Sequence, residues 1–269
     1  MTPPVPQLSG TPPLRWYERL DLPALLTLVA LALVVWSAPT LRGADREVDH
    51  LGNLARFLRR FLPPDLSVVP EVGLALLETG RIAVAATACG ALLALPLAVL
   101  GARATAPAPM VVAVRILLAA IRTVPSLVWA LMAVAVVGPT PLAGVVALAL
   151  YSVSYLAKFG ADAIDSTDLA ALRALRAGGA SRFQAVWHGL WPDLRPIAWS
   201  HALWMLEYNL RSGAIIGYVG AGGVGTLIVA YQEYGRWDQV ATVLLALLVL
   251  VLVLDLVGDR LRAALLRRT

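Results

Sequence analysis

Apolar stretches separated by short polar segments run along most of the chain. Windows long enough to cross a bilayer as a helix, about 20 residues each, lie at 22–39, 82–100, 111–137, 142–157, 197–219 and 240–257. The fourth window is short, and the fifth contains charged residues, including Glu207 and Arg211. This pattern predicts an all-α integral membrane protein with about six membrane-spanning helices.

The segments that flank these windows divide the chain into a tail and one membrane domain. Residues 1–20 are rich in proline and are predicted to form a cytoplasmic tail, and residues 21–269 are predicted to form the transmembrane domain. The first window is longer than the core of a usual signal peptide and has no clear small-residue cleavage site, which favours a retained helix. The segment 158–196, between the fourth and fifth windows, is predicted to be a cytoplasmic loop.

The composition agrees with a membrane protein. The chain is 59% hydrophobic and 14% charged, with a mean hydropathy of +0.76, whereas about a quarter of the residues in a soluble domain are charged. Most arginines lie in segments that face the cytoplasm if both termini are inside, which predicts that orientation. The net charge of +5 is spread over these loops, so no nucleic-acid partner is predicted. The single cysteine, Cys89, excludes a disulfide framework and a zinc site.

No arrangement of residues is typical of an enzyme. The histidines, His50, His188 and His201, are scattered, and no phosphate-binding loop of the form G-x-x-x-x-G-K-[ST] occurs. Residues 220–225 satisfy G-x-G-x-x-G, but they follow a membrane window instead of a strand and lack an acidic residue about 20 positions later. The chain is therefore predicted to contain no catalytic residue, metal site or cofactor site.

An amphipathic helix is predicted at residues 51–61, between the first two windows. Leucines and phenylalanines recur there at helical spacing, and Arg56, Arg59 and Arg60 fall on other faces. Such a helix either lies on the outer membrane surface or helps to receive a soluble binding protein.

Charged residues in the apolar windows are candidates for function, because they are costly in a bilayer. Glu78 and Arg81 are predicted to offset each other, and Glu207 and Arg211 to form a helical ion pair. That second pair is either a functional site or a structural clamp. Arg122 is either a cation along an anion path or an arginine whose side chain extends to the membrane–water interface.

The stretch 168–192, DLAALRALRAGGASRFQAVWHGLWP, is charged and broken by glycines. Side-chain oxygens that can cap a first short helix are provided by Ser166, Thr167 and Asp168. The glycine pair 178–179 supplies the left-handed residue that ends this helix. Ser181 and Gln184 are predicted to form a capping box for a second short helix, which Pro192 ends. The prediction is helix, tight turn, helix.

This stretch resembles the cytoplasmic EAA loop of ABC importer membrane subunits, whose pattern is Glu-Ala-Ala, three residues, Gly, nine residues, Ile, one residue, Leu-Pro. Gly179 takes the glycine, Pro192 the proline and Ala174 the first alanine, while Arg173 stands at the glutamate. In the family this loop is the coupling helix, which sits in a groove on the ATPase subunit. The resemblance implies a coupling set made of Asp168, Leu172, Arg173, Ala174, Arg176, Gly179, Ala180 and Pro192.

The membrane part resembles the phosphonate-type branch of these permeases. The resemblance rests on EYNLR at 207–211, VGAGGVG at 219–225 and RTVP at 122–125 followed by LVWAL, and it extends from residue 77 to the end. Ser126 departs from the family, which usually has an acidic residue after the proline. The resemblance implies a translocation path that includes Arg122, Glu207, Asn209, Arg211, Gly220, Gly222 and Gly223.

By this resemblance the chain is predicted to be a type I importer permease of the bacterial cytoplasmic membrane, in contact with lipid, that translocates phosphonate, phosphite or phosphate. Two copies would form the pathway, two ATPase subunits would bind ATP and magnesium, and a soluble binding protein would deliver the anion. Two alternatives stay open. One is a permease of the same fold for another small solute, such as an amino acid, and the other is an ion-driven secondary transporter that needs no ATPase.

Overall fold

The computed structural model describes residues 22–41 and 49–266, and the regular secondary structure within those ranges is helical throughout. The predicted tail, residues 1–20, lies outside the described residues. Two compact units are distinguished, residues 1–55 and residues 56–269. The α-helices are, in chain order, α1 Leu22–Ser37, α2 His50–Arg59, α3 Val69–Gly101, α4 Ala108–Thr123, α5 Ser126–Val137, α6 Pro141–Ser166, α7 Ala170–Ala177, α8 Arg182–Gly189, α9 Trp191–Ile216, α10 Val224–Glu233 and α11 Trp237–Leu266. Single 3₁₀ turns that adjoin α1, α3 and α9 are Ala38–Leu41, Leu66–Val68 and Gly217–Val219.

Several of these helices are long and apolar enough to cross a bilayer. Within the described residues, the segments that qualify alone are Pro23–Thr40, Leu66–Gly101, Pro141–Ser166 and Trp237–Ala263. Two bent pairs qualify if each pair counts as one span: α4 with α5, and α9 and its 3₁₀ turn with α10. The total of 4 to 6 candidate spans confirms the predicted multi-pass helical membrane protein.

The single span predicted at 111–137 is instead two helices, α4 and α5, whose axes differ by 86°. Val124 is extended (φ −88°, ψ 120°), as expected for a residue before proline. Pro125 has no N–H to continue α4, and its carbonyl oxygen accepts from the N–H groups of Val128 (3.0 Å) and Trp129 (3.2 Å). Pro125 therefore ends one helix and begins the next.

Helices α3 and α6 form the most extensive helix contact among the described elements. Small residues let their backbones approach, as is common between membrane helices. A Cβ atom at Gly90 would lie 2.5 Å from the Cβ of Ser152, and one at Gly160 would lie 2.8 Å from the Cβ of Ala98. Helices α9 and α11 and the α7–α8 segment (residues 168–190) pack on this pair.

The segment before α3 is hydrogen-bonded to the start of α11. Asp65 N–H donates to the Asp238 carbonyl oxygen (3.2 Å), and Gln239 Nε2 donates to the Asp65 carboxylate (3.0 Å). Thr242 Oγ1 donates to the Asp65 carbonyl oxygen (2.7 Å). Hydrogen bonds from Ser67 and Gln239 hold the pKa of the Asp65 carboxyl below its ordinary value. The beginnings of α3 and α11 are thus fixed side by side.

Candidate functional site

The first turn of the α7–α8 segment depends on Asp168. Its Oδ1 accepts from Ala170 N–H (2.9 Å), which satisfies one of the free donors at the start of α7. Ser166 and Thr167 do not cap α7 as predicted, because both hydroxyls donate to the Ala163 carbonyl oxygen (3.0 and 2.8 Å). The last turn of α6 therefore uses those two side chains.

The turn between α7 and α8 requires one glycine. Gly179 has a φ of +88°, whereas Gly178 has an ordinary φ of −77°. Ala180 N–H donates to the Leu175 carbonyl oxygen (3.0 Å) and Gly179 N–H to the Arg176 carbonyl oxygen (3.1 Å). This pair of bonds is the Schellman motif, which satisfies the free carbonyl groups at a helix end. The predicted left-handed residue is confirmed, and it is Gly179.

Helix α8 begins with the predicted capping box. Ser181 Oγ accepts from Gln184 N–H (3.2 Å), and Gln184 Oε1 accepts from Ser181 N–H (2.9 Å). The helix ends at Gly189, and Pro192 lies in the first turn of α9, so the predicted stop at Pro192 is wrong. Proline is tolerated in a first turn because no N–H is needed there. A Cβ atom at Gly189 would lie 3.1 Å from Leu172 Cα, so this glycine lets the two short helices meet closely.

Helix α7 has one packed face and one open face. Leu172 is half-buried and packs with Leu190 against the ends of α3 and α6. Ala180 is also half-buried, and the remaining members of the coupling set are exposed: Asp168, Arg173, Ala174, Arg176, Gly179 and Pro192. The Arg173 side chain makes no hydrogen bond or ion pair with any described residue, while Arg176 Nη1 donates to the Ala180 carbonyl oxygen (3.2 Å). The open face of α7 is therefore positively charged.

An aromatic row runs along α8 into α9. The rings of Phe183 and Trp187 and those of Trp187 and Trp191 stack with centroids 6.0 Å apart in both pairs. Phe183 is 74% exposed and Trp187 is 52% exposed. The predicted coupling set does not include this row, although its i, i+4, i+8 spacing on a helix is visible in the sequence. Exposed aromatic side chains beside a basic helix are suited to binding a protein partner.

Glu207 forms an ion pair with Arg262 of α11 (2.8 Å), so the predicted pair between Glu207 and Arg211 is wrong. The side chains of Glu207 and Arg262 are 11% and 22% exposed. Arg262 also bonds Asp259 (2.8 Å). A Cβ atom at Gly258 would lie 2.0 Å from the Glu207 carboxylate, so the glycine provides the space that this carboxylate occupies. Glu207 is neutralised across the α9–α11 contact instead of along α9.

Asn209 is fully buried and connects three helices. Its Nδ2 donates to Thr87 Oγ1 of α3 (2.9 Å) and to Ser152 Oγ of α6 (2.8 Å). Side-chain hydrogen bonds of this kind hold membrane helices together. The contacts of Asn209 are those of a residue that joins α9 to the α3–α6 pair.

Arg122, at the end of α4, lies beside aromatic side chains. Its guanidinium carbon is 5.7 Å from the centroid of Tyr155, and its Nη1 donates to the Ser154 carbonyl oxygen (2.8 Å). Tyr151 lies 4.7 Å from Tyr155 and stacks on Tyr208 of α9 at 4.9 Å, measured between ring centroids. Because these three tyrosines are only half-buried, α6 and α9 present an aromatic face (Tyr151, Tyr155, Tyr208) with a cation at its edge.

Arg211 is exposed, and its side chain makes no hydrogen bond or ion pair with any residue that the structure describes. It lies three residues beyond Tyr208 on α9, and such residues are neighbours on a helix surface. It also borders an apolar hollow with Leu127, Leu244 and Leu247. An arginine in apolar surroundings is costly in a bilayer, so Arg211 requires compensation from water, lipid or a ligand.

The predicted path glycines form a tight loop between α9 and α10. The φ angles are +83° at Gly220, +82° at Gly222 and +74° at Gly223, a region that only glycine enters at low cost. A Cβ atom at Gly220 would lie 3.0 Å from Pro139 Cβ, and one at Gly222 would lie 3.1 Å from Pro141 Cγ. The loop is therefore packed against the turn between α5 and α6.

Helix α3 caps the start of α10 beside this loop. Glu78 Oε2 accepts from Gly223 N–H (3.2 Å), and Thr79 Oγ1 accepts from Val224 N–H (2.8 Å). The predicted compensation of Glu78 by Arg81 is wrong, because the Glu78 carboxylate faces α10 and Arg81 has no ion pair among the described residues. The Glu78 carboxylate instead caps the N-terminus of α10, where backbone N–H groups favour negative charge.

The residues predicted for a translocation path thus lie in separate places within the described chain. Arg122 lies at the edge of the aromatic face, and Arg211 lies beside the apolar hollow. Asn209 is in the interior, Glu207 is at the α9–α11 contact, and the glycines are in the loop that meets α3. Of these residues, Arg211 is exposed and Arg122 is half-buried, and neither forms an ion pair with a described residue.

Residues 94–269 match the family described as binding-protein-dependent transport system inner membrane component. The chain is 35% identical over 250 residues to the phosphite transport system permease protein PtxC of Stutzerimonas stutzeri, covering 93% of this chain and 90% of that protein. It is 32% identical over 220 residues to the phosphate-import permease protein PhnE of Mycolicibacterium smegmatis, covering 81% of this chain and 41% of that protein.

Solved structures with a similar fold include the inward-facing MetNI methionine ABC transporter. The likeness has a TM-score of 0.66 at 25% identity and covers 75% of this chain and 99% of the compared chain. An amino acid ABC transporter with histidines matches with a TM-score of 0.59 at 20% identity, covering 83% of this chain. The helical arrangement of about three quarters of the chain is therefore one already seen in a transporter.

Proposed function

Because the chain belongs to the binding-protein-dependent transport system inner membrane components, we propose that it is the permease subunit of an ATP-driven importer for phosphonate or a related phosphorus oxyanion, phosphite or phosphate. Its fold is that of the type I ABC importer permeases. The observation that carries the substrate class is the similarity to the phosphite permease PtxC, which extends over 93% of this chain.

The charges of the membrane part support an anionic substrate. Since Arg262 neutralises Glu207, Arg211 keeps its full positive charge on an apolar surface. Arg122 supplies a second cation beside Tyr155. Phosphorus oxyanions bind well to guanidinium groups, which offer paired N–H donors. In the proposed path Arg122 and Arg211 meet the anion, while Glu207, Asn209 and the glycines at 220, 222 and 223 support the surrounding walls.

The exposed parts of the chain suit the partners of such an importer. Two copies of the chain would face each other across the path, and each would present its α7–α8 segment to one of two ATPase subunits. The basic face of α7 and the aromatic row of α8 would form the ATPase contact. ATP and magnesium would bind to those partners, and this chain would carry out no covalent chemistry.

Both termini would be cytoplasmic in this arrangement. The α7–α8 segment would then lie inside the cell, where ATP is available. The loop at 220–223 and the turn at 138–141 would lie outside, where a soluble binding protein delivers the anion. Closure of the ATPases would move the α7–α8 segment as a rigid unit and rock the helices between outward and inward access.

The experiment is uptake into vesicles that contain this chain, its ATPase and its binding protein, tested with methylphosphonate, phosphite, phosphate and methionine. We expect ATP-dependent uptake of at least one phosphorus oxyanion and none of methionine. Vesicles without the ATPase are the control. Uptake of methionine alone would retain the importer and reject the phosphorus assignment, and flux without the ATPase would indicate an ion-driven transporter.

A further inference from the structure

Helix α2 exposes a row of leucines. Leu51 is 80% exposed, Leu54 52% and Leu58 53%. Residues at this spacing lie on one face of a helix. Leu62 and Leu66, 70% and 69% exposed, follow it in the chain toward α3. So many exposed leucines in a short segment indicate a surface that is covered by something other than water.

Basic side chains lie beside the leucine row at the end of α2 and directly after it. Arg59 and Arg60 are exposed, and neither forms a salt bridge among the described residues. The same surface hollow contains two acids, Asp65 and Asp238. Asp65 already accepts hydrogen bonds from Ser67 and Gln239, and neither acid forms an ion pair with these arginines. The two guanidinium groups therefore remain available to an anionic partner.

The end of α2 lies where two candidate spans begin. Phe57 and Phe61 pack on Trp237, with centroid distances of 5.1 and 5.5 Å. Trp237 begins the span Trp237–Ala263, and Leu66 begins the span Leu66–Gly101. Tryptophan at the end of a span is typical of the membrane–water interface. This aromatic contact holds the C-terminal part of α2 at the level of the bilayer surface.

The outer surface of α3 also carries exposed apolar side chains. Val69, Leu74 and Leu77 are exposed (50%, 70% and 62%) on a helix that spans the membrane. Such side chains face lipid. Leu62 and Leu66 lie between Leu58 and that surface in the chain, so lipid is also the expected cover for the C-terminal part of α2.

We propose that α2 is an interfacial anchor that lies flat on the bilayer surface at which α3 begins. Leu51, Leu54 and Leu58 insert among the upper acyl chains, and Arg59 and Arg60 bind the phosphate groups of anionic phospholipids. A helix with one apolar and one basic face is the form that binds such an interface. The surface is the external one in the orientation proposed above, and the anchor itself depends neither on that orientation nor on the substrate.

The depth of α2 can be measured with single fluorescent labels on the whole chain in phosphatidylglycerol-containing nanodiscs. In a Cys89→Ser background, a label is attached to Leu54→Cys on the apolar face or to Arg56→Cys on the basic face. We expect lipids with a quencher high on the acyl chain to quench the label at position 54, and aqueous iodide to quench the label at position 56. Equal quenching of both positions by iodide would overturn the anchor.

The same labels distinguish the lipid from a protein partner. If the label at position 54 is open to iodide until the soluble binding protein is added, α2 is a docking surface for that protein and the proposal fails. If the label at position 54 is already shielded from iodide without the binding protein, the result supports the lipid anchor.

The headgroup contact is tested with the double variant Arg59→Gln/Arg60→Gln. Native mass spectrometry would compare the phosphatidylglycerol and phosphatidylcholine retained by the purified chain. We expect the preference for phosphatidylglycerol to fall by about fivefold for each arginine, with the label at position 54 still buried. An unchanged preference, or displacement of the lipid by inorganic phosphate, would contradict the proposed headgroup site.

Discussion

Arg211 and Arg262 illustrate how the same residue type has two roles in one protein. Arg262 bonds Glu207 and Asp259 at 2.8 Å each and is largely shielded. Arg211 has no such partner among the described residues and is exposed. A paired charge contributes to helix packing, whereas an unpaired one can bind a passing anion.

Breaking the Glu207–Arg262 pair is expected to destabilise the protein. Glu207→Gln leaves the Arg262 guanidinium without this partner, at a cost on the order of 2 kcal/mol. The charge swap Glu207→Arg/Arg262→Glu is expected to recover part of the loss. The swap Glu207→Arg/Arg211→Glu should recover none. Thermal unfolding of the purified chain in detergent measures all three, and rescue by the Arg211 swap alone would contradict the observed pairing.

Arg211→Ala is expected to abolish uptake and leave stability nearly unchanged. The side chain forms no hydrogen bond or ion pair with the described residues, so its removal breaks no internal interaction of that kind. Arg211→Lys keeps the charge but loses the paired donors, and partial uptake is expected. The measurement is ATP-dependent uptake by complexes whose assembly and melting temperature match the wild type. Normal uptake by such an Arg211→Ala complex would remove Arg211 from the path.

At the scale of elements, the α7–α8 segment is built to move as one piece. A Schellman motif ends α7, a capping box starts α8, and Gly189 lets the two helices meet closely. Leu172 and Leu190 pack this segment on the ends of α3 and α6. A displacement of the segment is therefore transmitted to the two helices that form the most extensive contact.

Gly179→Pro is expected to uncouple ATP hydrolysis from uptake while the membrane helices still fold. Proline requires a φ near −65°, whereas this position has +88° and donates its N–H to Arg176. Gly178→Ala is the matched control, because φ is −77° there and the nearest atom to an added Cβ is 3.5 Å away. Uptake and ATPase rates are measured on the same vesicles. Full coupling in Gly179→Pro would reject the docking role of this segment.

Across the whole molecule, a few polar contacts hold the helix bundle of residues 56–269 together. Asn209 joins α9 to α3 and α6 in the interior. Arg115 of α4 donates to Asp165 of α6 and to the Gly101 carbonyl oxygen of α3, at 2.9 Å each. Glu78 and Thr79, in the first half of α3, join this helix to the start of α10. Helices α7 and α8 pack at the other end of α3. Except for the Arg115–Gly101 bond, which joins consecutive helices, these contacts bridge elements that are distant in the chain.

Asn209→Leu is expected to lower the melting temperature of the protein. The substitution removes two interhelical hydrogen bonds, each worth about 0.6 kcal/mol and at most about 1.7 kcal/mol in membrane proteins. Ser152→Ala is the matched control, since it removes one of the two bonds and should cost about half as much. A variant as stable as the wild type would show that Asn209 does not hold the helices together.

Short-range features could be predicted from the sequence because their partners are close in the chain. The Ser181–Gln184 box joins residues three apart, and the turn at Gly179 joins residues three to five apart. Partners across helices could not be predicted in this way. Glu78 and Glu207 each have an arginine at helical spacing, yet their bonds go to residues 145 and 55 positions away. The partner of a side chain on a packed helix depends on which other helix lies against it, and the spacing along one helix does not give that information.

The sequence by itself determined the class of protein, the candidate spans, the amphipathic α2 and the family. These properties follow from apolar length, helical periodicity and short motifs, which are local. Only the tertiary structure decided that α4 and α5 meet at 86°, that Asn209 is an internal link, and that Arg262 neutralises Glu207. Charge compensation in a membrane protein depends on which helices touch. For this reason the lack of an ion-pair partner for Arg211 among the described residues emerged only once α11 was packed against α9.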